Sequence, residues 1–78
     1  MYLAVGESFW FAWRGIKTEE GGHPMSECVL TGDAYELGDT LIYEMKNVAS
    51  EKTYLKTLEE LNQCVQRGKV PIEGVEIQ

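Results

Sequence analysis

His23 is the single histidine of this 78-residue chain, and it stands in the stretch Gly21-Gly22-His23-Pro24. Imidazole titrates near neutral pH, which makes it the natural general base of a small protein. Carboxylates offer a second route, since Glu19-Glu20, Asp33/Glu36/Asp39 and Glu59-Glu60 bring acids close in sequence. Paired acids catalyse only when their environments push their proton affinities apart. Nothing in these runs separates a tuned pair from a solvated face, and His23 reads first as a loop residue. No G-x-S-x-G elbow, phosphate-binding loop or dinucleotide fingerprint occurs. Cys28 and Cys64 lie far apart with no C-x-x-C, and one histidine does not complete a zinc site. The expectation is therefore no enzyme, no metal and no cofactor, with two free, buried thiols.

Length and charge narrow the remaining classes. Seventy-eight residues make one small domain, 1–78, with a core of marginal size. With 44% apolar and 26% charged residues, the composition is that of a folded chain and not of a disordered one. No apolar run approaches the roughly 20 residues that span a bilayer. The first residues, Met1 to Gly6, carry no basic segment of the secretory kind. A cytoplasmic protein without membrane contact is expected. The net charge is −6, and Glu27, Asp33, Glu36, Asp39 and Glu44 against Lys46 alone give residues 27–46 a charge of −4. Such a field repels phosphate backbones and attracts basic partners, which argues against direct nucleic-acid binding.

These residues must be positioned by few elements. Phe9, Phe11 and Trp13 alternate with Trp10, Ala12 and Arg14, predicting a strand over 8–17 with the first three facing the core. The Gly21-Gly22 pair and Pro24 predict a turn, and Ser26–Thr31 a second strand, so the two form a hairpin. Residues 33–48 fit two readings. Leu37, Leu41 and Met45 recur every fourth residue, as in a helix. Gly38 within such a helix costs about 1 kcal/mol, however, and Thr40, Ile42 and Tyr43 favour a strand. The balance tips to a strand at 39–46, with Gly38-Asp39 as a turn. Ser50 then caps a predicted helix over about 50–67, whose stripe is Tyr54, Leu55, Leu58, Leu61 and Val65. Gly68, Arg67, Lys69 and Pro71 supply its stop, and residues 75–78 an edge strand or a free tail. The fold class is α+β: a small antiparallel sheet of three to four strands with one helix packed on one face. A hairpin with two helices is the runner-up.

One helix covers only one face of a small sheet, which leaves Trp10 as a ring in search of a partner. Tyr35 and Tyr43, interleaved with acids, suit an interface core. Candidate partner-binding residues are Trp10, Asp33, Tyr35, Glu36, Asp39, Tyr43 and Glu44. Acids would steer association with a basic surface, and aromatic anchors would hold it. The leading expectation is a small acidic inhibitor or adaptor that occludes a basic surface of a partner protein, such as one that normally holds nucleic acid. In broad profile alone, the chain is similar to the small accessory proteins that phages encode against host machinery, anti-CRISPR and anti-restriction inhibitors among them. No motif assigns it to such a family. The first alternative is a self-associating protein that dimerises through the aromatic strand. The second is a small enzyme using His23 or a carboxylate pair.

Overall fold

The computed structural model describes residues 2–66 and 74–76, and its elements divide between a long antiparallel sheet and a short parallel pair. The strands are β1 (Tyr2–Ala4), β2 (Phe9–Ala12), β3 (Met25–Leu37), β4 (Thr40–Asn47), β5 (Thr53–Thr57), β6 (Val65–Gln66) and β7 (Gly74–Glu76). The helix α1 is Leu58–Cys64. The main sheet runs β5-β4-β3-β2, and two-residue β6 pairs with the outer edge of β2. A small antiparallel sheet with one helix, α+β, is the class the sequence predicts.

Alternation sets the inner face. Phe9 pairs with Cys28, Leu30 with Met45, and Met45 with Tyr54. Phe9, Phe11, Cys28, Leu30, Tyr43 and Met45 are buried together with Leu3, Leu61 and Cys64. Trp13 ends the aromatic run edge-on to Phe11 (ring centroids 4.8 Å apart) and to Tyr54 (4.9 Å). Its indole N–H donates to Ser26 Oγ at 3.1 Å. That polar handle is satisfied where the ring is only half covered.

The sequence reading of 33–48 resolves to strand. Gly38 stands at φ +63° in the two-residue turn between Leu37 and Thr40, a value glycine adopts without steric cost. The pairing also slips between Leu30 and Ala34. Gly32 sits in that bulge at φ +98°. The bulge lengthens β3 to residue 37, well past the expected end at Thr31. The predicted strand 8–17 stops at Ala12. There Trp13 N–H bonds the Pro24 carbonyl (2.9 Å), and a turn follows through Arg14-Gly15.

The largest correction concerns the helix. It begins at Leu58 and not at Ser50, because 53–57 continues the sheet as β5. Asn47 makes the reversal: its Oδ1 accepts the N–H groups of Ala49 (2.9 Å) and Ser50 (3.0 Å), and its carbonyl accepts that of Glu51. Ser50 lies within this turn, where its Oγ accepts from Lys52 N–H. The true cap is Thr57. Thr57 Oγ1 accepts the Glu60 N–H, and Glu60 Oε1 accepts the Thr57 N–H, each at 3.2 Å. Two otherwise orphaned donors are thereby satisfied reciprocally. Lys56 Nζ joins Glu60 Oε2 at 3.7 Å and lies 5.6 Å above the Phe11 ring. The helix ends at Cys64, where Val65 turns extended and enters β6. The expected stop at Arg67, Gly68, Lys69 and Pro71 falls outside the described residues. Residues 74–76 form an edge strand, β7, which runs parallel to β1 and pairs Tyr2 with Gly74.

Candidate functional site

The helix packs on the inner face, and among the described residues no helix covers the outer face of the sheet. Cross-strand partners share a face, so the register identifies this surface: Trp10 with Glu27, Val29 with Lys46, Tyr35 with Ile42, and Glu44 with Leu55. Trp10 is 50% exposed and Leu55 56%. A wet face usually alternates to polar residues. This one holds an indole, a phenol and several aliphatic side chains between three charged ones.

The hairpin of β3 and β4 forms the second part of the surface. Its far end, residues 33–41, is exposed at every position and lies beyond the reach of β2, which pairs only with Met25–Cys28. Tyr35, Leu37 and Leu41 are large apolar side chains in water there, Leu37 with 71% of its surface open. Asp33, Glu36 and Asp39 stand between them with no base among residues 33–41. Of the residues expected from the sequence, Asp33, Tyr35, Glu36 and Asp39 thus lie together at this end of the hairpin.

The predicted residues divide into three groups. Asp33, Tyr35, Glu36 and Asp39 share the hairpin tip. Trp10 stands apart on the outer face of β2, half exposed. Glu44 lies half-buried on that same face, where its Oε1 accepts from Thr31 Oγ1 at 2.9 Å. It is also the main cause that raises the Tyr35 hydroxyl above an ordinary phenol. Desolvation, the Asp33 carboxylate and a hydrogen bond with Glu44 add to the effect. Tyr35 therefore remains a neutral donor. Tyr43 has a different role: it is only 8% exposed and belongs to the core cluster, so its ring is not presented to a partner. The parity it shares with Met45 along β4 was the local signal for this inward position.

The candidate chemistries occupy ordinary structural positions. His23 Nδ1–H donates to the Ile16 carbonyl at 2.8 Å in an exposed loop. Both cysteines are free and buried. Burial, followed by the Glu27 charge, raises the Cys28 thiol, which keeps it protonated and unreactive. Among the described residues no helix is long and apolar enough to cross a membrane.

Sequence reasoning missed the cleft beside Trp10. About 310 Å³ in volume, it is lined by Trp10, Met25, Ser26, Glu27, Asn47, Val48 and Ala49. The Asn47 turn folds along the sheet here, and Val48 N–H bonds the Glu27 carbonyl at 2.9 Å. The Asn-x-x-Ser spacing at 47–50 was the available signal for that turn.

No family model, curated protein or solved structure matches the chain.

Proposed function

We propose that this chain is a small acidic protein-binding module, an inhibitor or adaptor that covers a basic surface of a partner protein. It acts by occlusion and not by catalysis. The observation that carries this reading is the β3–β4 hairpin tip, where Asp33, Glu36 and Asp39 alternate with exposed Tyr35, Leu37 and Leu41. Acids with apolar anchors between them suit a cleft whose rim is basic and whose floor is apolar. The rim charges set the rate of encounter and the anchors set the lifetime. A surface that normally holds nucleic acid has that character, and a protein of net charge −6 mimics its usual ligand. The chain's small size and acidity fit the kind of inhibitor that phages direct against host defence. The two free thiols suit a reducing, cytoplasmic setting.

Affinity capture on the immobilised chain tests this. A basic protein should be retained at roughly 0.05 M salt and released at roughly 0.5 M, where screening lengths shrink to a few ångströms. Retention that is indifferent to salt contradicts the electrostatic part. A second reading, self-association, draws support from the bare outer face with Trp10 and Leu55 exposed. Light scattering after gel filtration separates the two, since a monomer at high concentration removes the dimer.

A further inference from the structure

The Trp10 cleft differs from the hairpin tip in what it offers. Trp10 and Glu27 are directly opposed across β2 and β3, so an indole face and a carboxylate stand side by side. The Glu27 carboxylate makes no hydrogen bond or ion pair with any described residue. Trp10 keeps half its surface open even though it borders a cleft. Met25, Val48 and Ala49 supply apolar lining, and no cation lines the cavity among the described residues. At about 310 Å³ the space lies at the lower limit of small-molecule sites, which suits one inserted side chain better than a cofactor.

We propose that this cleft takes the guanidinium of an arginine from the partner protein, stacked on the Trp10 indole and paired with the Glu27 carboxylate. The inference rests on the reading of the chain as an acidic protein-binding module and assigns a residue type to one point of its surface. Charge complementarity selects a cation: among the described residues the only charged group in the lining is an acid, within a chain of net charge −6. Geometry selects arginine over lysine. A planar, weakly hydrated guanidinium stacks on an indole while its N–H groups bond a carboxylate in the same plane. Its aliphatic stem lies against Met25 and Val48, as long charged side chains do on apolar surface.

The test uses the full chain, assigned by NMR and titrated with N-acetyl-arginine-methylamide and with its citrulline counterpart. Citrulline keeps the shape and removes the charge. Saturable shifts are expected at the Trp10 indole N–H and the Glu27 amide, with citrulline about tenfold weaker. E27Q should weaken arginine binding by a similar factor and leave the rest of the spectrum in place. Equal binding of the two probes, or shifts confined to Asp33–Asp39, overturns the assignment. A Trp10 shift that follows protein concentration without any probe gives the cleft to a second copy of the chain and also overturns it. Failure here alongside salt-sensitive capture leaves the module reading intact. Arginine binding at Trp10 without salt-sensitive capture removes that reading and keeps the cleft.

Discussion

Replacing Phe11 by alanine should leave most of the protein unfolded near physiological temperature, whereas W10A one residue earlier should fold. Phe11 is 2% exposed on the inner face of β2, edge-on to Trp13 and covered by Lys56. Removing such a ring costs about 3–5 kcal/mol, part of it transfer and part the cavity left behind. A domain of this length has roughly 4–12 kcal/mol in total. The thermal midpoint should fall by roughly 15–30 °C, given about 4–8 °C per kcal/mol for a domain of this size. Trp10 is half in water, and its loss should cost no more than about 1 kcal/mol. Far-UV circular dichroism on heating measures both. Equal midpoints for the two variants would mean that the inner and outer faces of β2 are wrongly assigned.

The second large effect is expected at the hairpin tip, where function and stability separate. Y35A and L37A remove side chains that are 48% and 71% exposed. Stability should change by less than about 1 kcal/mol for each. If these residues seat in a partner's apolar floor, each truncation removes about 2 kcal/mol or more of binding, roughly 30-fold in affinity. The loss should appear in the dissociation rate, since uncharged anchors act after encounter. Calorimetry of the captured complex, with chemical unfolding of the free variants, separates the two quantities. Unchanged affinity in both variants would place the contact surface elsewhere.

Which parts of this molecule were legible beforehand follows from where the information lay. The parity of Phe9, Phe11 and Trp13 is a local pattern, and local patterns survive folding; the inner face of β2 followed from it. Gly38-Asp39 was equally local, and it tipped the reading to a strand at 39–46, whereas the run of β3 on to Leu37 went unread. The helix start was misplaced because Tyr54, Leu58 and Leu61 satisfy both a helical stripe and an inward path that runs down a strand and then a helix. Thr53 and Thr57 were the better guide. Both are β-branched, and Thr57-Leu58-Glu59-Glu60 is itself a capping-box sequence. β1 escaped notice because its partner, β7, lies some seventy residues away, and three residues carry no periodicity. At the site, the acids and Tyr35 were readable as a cluster because they fall on one hairpin. Tyr43 was misjudged although it shares the parity of Met45, a local pattern that places both on the inner face of β4. The cleft at Trp10 is built from β2, the start of β3 and the turn at 47–49, and no single stretch announces it.

The central claim is that the acidic tip draws a basic partner to this surface. Association rates, measured against the captured partner for the wild type and for D33K/E36K/D39K, test it most directly. At roughly 0.05 M salt the variant should associate at least about tenfold more slowly, and the difference should shrink towards nothing near 1 M as charges are screened. Dissociation should change far less than association. Equal association rates at low salt, for a variant that remains folded, would contradict the account.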